Sequence, residues 1–563
     1  MEVEKKNKIQ KVIVLLLGMI VIGLQLKCIF TELNSDTEYS IAMSWRMIQG
    51  DRLFFEMWEP HQTSAFLMAL LMRLYMAIFS SNEGIIVFLN LSGVLIHGGI
   101  VFCTYNTLKD RIEPFLLKLL CLLLMVLRPK GYVIPEFSNM LVWFSLLLLL
   151  CMVKFLDNDK RKFFLVLASV CLCLQIISYP SCIINYFIVV GIIWFFSQSK
   201  WKNILIFSCS CALQGGVYVL YLTWGKNLKE LMDCVGYVFS GDRFHGEQSR
   251  VYGGMLSKIG EPIAWVAGCF LVAYIIEKVY WRLVVKKKSD TTVYLGSMIR
   301  FMIFSGIIFG SDVIRAVCLP LNVYDGTWLN FYFPIFILYF IKAIGCLNYE
   351  EKKLVGCAYA IAAGSLVAVC LVTNLSIKFS VQYIVLAIFV SYIPMLRYVQ
   401  QHKMQVKHVY TLLTAAIVIL AFKGCLDIKE IGGIIKSGPA KGIVTEYMRA
   451  YRNQCDLEEW ERNIENGDSI LLVGQDAISA IGYLNGDTVT AAHSTMCNPT
   501  YNETMLEYWK LNPEKYPDVI VVDCWYGDLR IDEDSWIMQW ILSEYQPSSY
   551  IDGSYYRFYR LEK

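Results

Sequence analysis

Residues 12–26 read VIVLLLGMIVIGLQL, an apolar run with one amide side chain, and this stretch decides the fold. It follows the basic segment MEVEKKNKIQK of residues 1–11, so the two together have the outline of a signal peptide. A signal peptide ends in a small-x-small cleavage site, whereas KCIFTELNSD follows here. We therefore expect a first membrane-spanning helix that is retained.

The composition extends this expectation to the whole chain. Of 563 residues, 56% are hydrophobic and only 18% are charged, whereas about a quarter are charged in soluble domains. The formal net charge of +3 gives no argument for nucleic-acid binding. Most of the 19 cysteines lie in apolar runs, and none forms a CxxC or another metal-ligand spacing. We therefore expect lipid to surround most of the chain, and we expect no disulfide framework.

Further apolar runs have the length of membrane spans, for which about 20 residues are needed to cross the hydrocarbon core. About thirteen spans are predicted, at residues 11–30, 84–104, 115–127, 139–155, 163–179, 182–198, 203–223, 262–280, 293–310, 327–346, 355–373, 376–396 and 408–424. The sequence thus predicts an α-helical polytopic membrane protein, with a transmembrane domain at 1–424.

Lysine and arginine are concentrated in alternate connections, such as KFLDNDKRK at 154–162 and RLVVKKK at 282–288. The positive-inside rule places these connections and the N-terminus in the cytoplasm. The loops at 31–83 and 224–261, the turn after residue 127 and everything beyond residue 424 then lie outside. Because the sequence carries no organelle signal, a bacterial plasma membrane is the expected location.

The last segment, residues 425–563, has a different character. SILLVGQ at 469–475 and DVIVVDCW at 518–525 resemble buried strands, and YYRFYRL at 555–561 resembles an edge strand. AISAIGYLNG at 477–486 is typical of a helix that ends at its glycine. The alternation predicts a small extracytoplasmic α/β domain. It contains no glycine-rich nucleotide-binding motif and no GxSxG, so neither nucleotide binding nor a hydrolase triad is indicated.

The external loop at 31–83 carries the most chemical information, because it concentrates acidic residues beside the membrane. Ser35 and Glu38 have the spacing of a capping box, Gly50 suits the position after a helix, and a helix is predicted between them over about 36–49. A second helix is predicted from about Thr63, and both have apolar faces that suit the membrane surface. Asp36 then lies in the first turn, where the helix dipole favours its ionised form. A positioned, ionised carboxylate is what a general base requires, although a mere capping role stays open for Asp36 and for Glu38.

The order of D-x-E-Y, an amphipathic helix, G-D, an aromatic stretch and E-P-H resembles the first external loop of GT-C fold glycosyltransferases. These include protein O-mannosyltransferases and the lipid A aminoarabinose transferase. The matching motifs lie within about residues 34–72. The resemblance implies transfer of a sugar, with inversion, from a polyprenyl-phosphate donor to an acceptor of the cell envelope.

The resemblance also implies roles for individual residues. Asp36 matches the catalytic aspartate of the family, but Thr37 separates it from Glu38 where many members have adjacent acids, so either carboxylate could be the base. Glu59 matches a second element that holds a divalent ion or the donor phosphate in some members. His61 is a candidate metal ligand beside it, or an ordinary interfacial side chain.

Other external residues are candidate substrate contacts. Arg128 and Lys130 could hold the donor phosphate, or could simply extend to the membrane surface. Arg315 is a further candidate for the phosphate, since the family often has an arginine near this point. The remaining candidates are Glu136 and, in a loop that could close over a substrate or could remain solvated, Asp242, Arg243 and His245.

Two other functions are compatible with the sequence. A transporter or flippase for an amphipathic lipid would place charges and broken helices near the bilayer midplane and would show a repeat between its halves. Here the spans contain few charges, and no repeat is visible. A non-catalytic envelope assembly protein would tolerate the loss of Asp36 and Glu38.

Overall fold

The computed structural model describes most of the chain. The described residues are 2–31, 35–59, 61–127, 133–241, 343–372, 381–401, 405–426, 432–474, 482–495, 502–525, 528–529, 531–548 and 554–561, with 271, 275 and 279. In chain order, the helices of this part are α1 (Glu2–Phe30), α2 (Ser35–Gln49), α3 (Phe66–Phe79), α4 (Ile85–Leu108), α5 (Pro114–Val126), α6 (Phe137–Asp157), α7 (Lys162–Ser178), α8 (Ile184–Phe196), α9 (Lys200–Leu222), α10 (Leu228–Gly241), α11 (Tyr349–Val372), α12 (Val385–Gln401), α13 (Lys407–Leu426), α14 (Tyr447–Asn463), α15 (Asn502–Leu511) and α16 (Trp536–Glu544).

Ten of the predicted spans correspond to helices of this set, namely α1, α4–α9 and α11–α13. The predicted spans at 262–280, 293–310 and 327–346 lie almost wholly outside the described residues, so the count of thirteen stays a prediction. Six helical stretches of the described part are long and apolar enough to cross a membrane. One of them, Gln62–Phe79, contains α3, which was expected on the membrane surface from its sequence.

The spanning helices share one apolar core. Helix α6 lies at its centre, and most of its residues are buried. By contrast, α1 exposes Leu15 (63%) and Ile22 (61%), which is the face that a membrane helix presents to lipid. The N-terminal end of α6 is capped, because the Glu136 side chain accepts hydrogen bonds from the N–H groups of Ser138 and Asn139 at 2.9 and 2.7 Å.

Close approach of backbones fixes the outer end of this bundle. At Gly93 in α4, an added Cβ would lie 1.5 Å from the carbonyl oxygen of Val133. Only glycine therefore lets the segment that precedes Glu136 lie directly on α4.

The C-terminal domain contains a sheet whose strands are β3 (Ser469–Val473), β4 (Val489–Thr490), β5 (Val519–Trp525), β6 (Asp528–Leu529), β7 (Tyr545–Pro547) and β8 (Tyr556–Leu561); a small hairpin of β1 (Gly433–Ile434) and β2 (Val444–Thr445) precedes it. The strand order is β4-β3-β5-β8-β7, and β6 pairs with β5. β3 is parallel to β4 and β5, and β8 is antiparallel to β5 and β7. The three strands expected from the sequence are present, but β8 lies between β5 and β7 and is not the edge strand that the sequence predicted. Residues 477–481, half of the predicted helix at 477–486, lie outside the described residues.

Both faces of the sheet are covered. Ile470 and Leu472 of β3 pack with Trp460 of α14 on one face, and Leu471 and Val473 pack with residues of α15 and α16 on the other. This explains why β3 is a continuous apolar run and not an alternating one. The first external loop joins both layers, since Ala42 packs on the α14 side and Trp58 on the other side.

Candidate functional site

Helix α2 carries both predicted catalytic carboxylates and is the best-packed element of the first loop. It spans Ser35–Gln49, as the sequence predicted, and Gly50 follows it with a φ of 106°. Residues 37–46 are all buried. A helix on a membrane surface keeps its polar face in water, so that expectation is corrected for α2. The C-terminal domain covers the face that the sequence assigned to solvent.

Glu38 faces this domain. Its side chain is 2% exposed, and Oε1 accepts a hydrogen bond from Nη2 of Arg449 in α14 at 3.0 Å. Burial raises the pKa of the Glu38 carboxyl well above its usual value. The predicted capping contact is not made, because Arg449 holds Oε1 while Oε2 has no hydrogen-bond partner in the described part of the chain. Glu38 is therefore part of an interdomain contact.

Asp36 lies on another face of α2 and is half-buried. Ser40 Oγ donates to the backbone oxygen of Asp36 at 2.9 Å, and Ser44 Oγ is 3.2 Å from the backbone oxygen of Ala65. Positions 36, 40 and 44 share one side of the helix, because residues four apart are stacked. That side faces the 3-10 turn Gln62–Ala65, which packs against the outer end of α7. Asp36 thus lies on the side of α2 that carries Ser40 and Ser44, and Glu38 lies on another side.

Glu59, a predicted metal ligand, is fully buried and already has several donors. Its Oε1 accepts from Arg46 Nη1 at 3.2 Å and from the Thr495 N–H at 2.9 Å, and its Oε2 accepts from Thr495 Oγ1 at 3.0 Å. Burial raises the pKa of Glu59, and Arg46 and Thr495 oppose that effect. A metal ion could bind this carboxylate only by displacing these donors.

Arg46 connects Glu59 to a second carboxylate. Its guanidinium is completely buried and donates from Nε to Asp51 Oδ2 at 2.7 Å. Asp51 also binds Lys515, which is 7% exposed and belongs to the C-terminal domain. Two cations and two anions therefore form a buried, neutral cluster between the first loop and this domain. Such a cluster holds its members in position, because a buried charge that lost its partner would raise the free energy of the folded state.

His61, the other predicted metal ligand, lies in an aromatic cluster at the outer end of the bundle. Its ring stacks on Phe137 with a centroid distance of 4.1 Å and an interplanar angle of 3°, and Tyr179 is 5.6 Å away. The hydroxyl of Tyr383 is 3.1 Å from Ser138 Oγ beside them. The structure thus brings His61 close to the helix end that Glu136 caps, and Glu136 itself is held by backbone N–H groups.

The other predicted contacts cannot be placed. Outside the described residues lie Arg128, Lys130, Asp242, Arg243, His245 and Arg315. Where the chain is described, no three His, Cys, Asp or Glu side chains are arranged as metal ligands. The metal and the phosphate contacts therefore stay predictions.

Several residues of the site were not predicted from the sequence. Arg449, Thr495 and Lys515 contact the first loop from more than 400 positions away, and no local pattern marks them. Arg46 did leave a signal, because it is the one cation of α2 and follows the apolar Met43 and Trp45.

No protein-family model matches the sequence, and no curated protein matches it. Several solved structures are similar to this chain. The oligosaccharyltransferase of Archaeoglobus fulgidus with Zn and sulfate has a TM-score of 0.47 and 10% identity, over 91% of this chain and 68% of that one. The same organism's AglB with an inhibitory peptide and a dolichol-phosphate has a TM-score of 0.45 and 11% identity, over 92% and 70%. ArnT from Cupriavidus metallidurans has a TM-score of 0.39 and 10% identity, over 98% of each chain.

These neighbours are GT-C fold glycosyltransferases, the class that the first external loop resembles. All of these TM-scores are below 0.5, and the similarity assigns no role to any residue of this chain.

Proposed function

We propose that this chain is a membrane glycosyltransferase that moves a sugar from a polyprenyl-phosphate donor to an extracytoplasmic acceptor, with Asp36 as the general base. One observation carries the proposal: a half-buried carboxylate precedes ten consecutive buried residues of α2. A catalytic group must be held in a fixed geometry, and a rigid, packed helix provides this better than a loop.

The environment of Glu38 favours Asp36 as the base. Glu38 is buried against Arg449, so reaching an acceptor would require the interdomain contact to open. Asp36 is partly accessible, lies at a helix N-terminus and shares its face with Ser40 and Ser44. The helix dipole stabilises its carboxylate form.

The reaction is a direct displacement at the anomeric carbon. The acceptor hydroxyl oxygen forms a bond to this carbon, and the bond from the carbon to the phosphate oxygen breaks. The electron pair of that bond leaves with the polyprenyl phosphate, and the acceptor proton passes to the Asp36 carboxylate. The ion pair of Arg46 and Glu59 holds α2 and the segment after Gly50 in fixed relative positions during this step.

The test is transfer by the full chain in liposomes supplied with radiolabelled polyprenyl-phosphate sugars and a cell-envelope fraction as acceptor. Asp36→Asn should lower the rate by about 100-fold or more, the usual contribution of a general base. Asp110→Asn is the matched control, since Asp110 is an exposed aspartate in the turn between α4 and α5. An unchanged rate in Asp36→Asn would remove Asp36 from the mechanism.

A further inference from the structure

A groove of about 780 Å³ lies between the first external loop and the C-terminal domain. The C-terminal half of α2 and the Ser81–Glu83 turn form one wall, and α14 with the segment Leu484–Asp487 forms the other. Trp45, which is nine positions beyond Asp36, lines the groove, so the groove begins about 14 Å along the helix from the proposed base. It is therefore separate from the site described above.

The groove is built by direct contacts between its two walls. The side-chain amide of Gln49 donates to the backbone oxygen of Thr488, and that of Asn82 donates to the backbone oxygen of Leu484. The Gly84 N–H donates to the backbone oxygen of Gly438 at 3.0 Å. A pocket formed in this way exists before a ligand arrives, which lowers the cost of binding.

Its lining is acidic. Glu83, Glu458, Glu461 and Asp487 all line it, and none of the described residues in the lining is Lys, Arg or His. Lys441 lies 3.1 Å from Glu83 and offsets that charge. Glu458 and Glu461 lie three positions apart on one face of α14, where like charges repel. A positively charged ligand would relieve this repulsion.

A second observation points to a ligand with hydrogen-bond acceptors. Trp45 is 5% exposed, and its Nε1–H has no acceptor in the described part of the chain. An unmade hydrogen bond at a buried donor has a cost that a ligand oxygen could remove. The Oε1 atom of Gln49 likewise has no donor in the described part of the chain, and the Asn485 carboxamide also lines the groove. The Gln454 carboxamide is already hydrogen-bonded to Glu458 and Ser437. This combination suits hydroxyl and ring oxygens together with ammonium groups.

We propose that this groove binds an amine-bearing saccharide, such as a chain of glucosamine units, through Glu458, Glu461 and Asp487. The identification of this saccharide as the acceptor rests on the proposed function, whereas its binding does not. The segment bound in the groove lies about 14 Å from Asp36, so it would be the part of the acceptor remote from the new bond.

The test is calorimetric titration of the full chain in detergent, at mildly acidic pH, with glucosamine tetramer. The double variant Glu458→Gln/Glu461→Gln should bind about 100-fold more weakly, because each lost charged hydrogen bond is worth about a factor of ten. The matched control is Glu533→Gln/Asp534→Asn, which removes two exposed carboxylates outside the groove. Binding of the wild type should weaken with added salt.

Three results would overturn the assignment: equal binding by the groove variant, equal binding of the N-acetylated tetramer, or binding of pentalysine without binding of the glucosamine tetramer. The last would identify a basic peptide as the occupant. Asp36→Asn should bind the glucosamine tetramer as well as the wild type does. If the wild type binds the tetramer but shows no transfer, the proposed function fails and this inference stands. If the wild type shows transfer but does not bind the tetramer, this inference fails and the proposed function stands.

Discussion

Arg46 is the residue on which the geometry of the first external loop depends. It is completely buried, and its guanidinium reaches two carboxylates as well as the backbone oxygens of Glu56 and His493. Lysine has one point charge and cannot reproduce this planar, forked set of donors. Arginine is therefore required at this position for its shape as well as for its charge.

Replacing Arg46 by methionine should destabilise the full chain by about 3–5 kcal/mol, because Asp51 and Glu59 would keep buried charges without their shared cation. The measurement is the midpoint of thermal unfolding in detergent. Lys510→Met is the control, since Lys510 is 72% exposed and its partner Glu507 is 38% exposed, and this substitution should cost less than about 1 kcal/mol. The double variant Arg46→Met/Glu59→Gln should recover part of the loss; strict additivity would show that the two side chains do not interact.

Asp456 should make the stability of the protein depend on pH. It is buried in α14, and its Oδ1 accepts from the Tyr555 N–H at 2.7 Å and from Ser554 Oγ at 3.0 Å. Burial is the main cause that raises the pKa of this carboxyl to about 7. The folded state therefore holds the proton more tightly than the unfolded state, and stability should fall as the pH rises from about 4 to about 7.

Asp456→Asn should remove this fall, because the Asn oxygen can accept both hydrogen bonds without carrying a charge. At pH values above about 7 the variant should be the more stable protein, by an amount on the order of 4 kcal/mol at most. Thermal midpoints measured across this pH range test the prediction, with the exposed Asp534→Asn as control. Parallel pH profiles of wild type and Asp456→Asn would contradict it.

At the scale of elements, the contact of α4 with the segment before α6 makes a prediction. Gly93→Ala would place a methyl group 1.5 Å from the Val133 carbonyl oxygen, so the segment that ends at the Glu136 cap must move. We expect a lower thermal midpoint and lower transfer activity. Gly98→Ala in the same helix has nothing within 4 Å of the added carbon and should be neutral or slightly stabilising. Equal effects of the two substitutions would refute this account of Gly93.

Elements with strong local signals were predictable from the sequence. The bounds of α2 followed from its polar first turn and from Gly50, and ten helices of the described part followed from apolar runs of sufficient length. The stretch Gln62–Phe79 is the exception, since it was expected on the membrane surface. β3 and β5 followed from short apolar runs bounded by turn residues. In each of these cases, the information lies within about twenty neighbouring residues.

The environment of α2 was not predictable in this way. Its polar positions indicate solvent only if nothing covers them, and the covering residues, such as Arg449 and Thr495, come from the far end of the chain. Glu38 was therefore assigned to a cap or to catalysis, and its contact with Arg449 of the C-terminal domain was not foreseen. Long-range pairing of charges leaves no periodic signal within a single sequence.

At the scale of the whole molecule, the first external loop joins the membrane bundle to the C-terminal domain. Trp58 is central to this junction. Its ring stacks on Tyr237 of α10, with a centroid distance of 4.6 Å and an angle of 10°, and meets the Tyr508 ring of α15 edge to face at 5.2 Å. Its backbone N–H donates to the backbone oxygen of His493 at 2.9 Å. The side chain of Trp58 thus contacts both α10 and α15, and its backbone contacts a third segment.

Trp58→Ala should therefore loosen α10 and the C-terminal domain together. The cavity left by a buried tryptophan costs about 3–5 kcal/mol, and its loss removes contacts to both neighbours at once. Hydrogen exchange should become faster in residues 228–241 and 488–512 of the full chain. The exchange rates of the two segments should rise with temperature to a similar extent. Trp201→Ala is the control, because Trp201 is 74% exposed. Faster exchange in only one of the two segments would show that they open independently, and Trp58 would then be a local contact that does not couple the domain to the bundle.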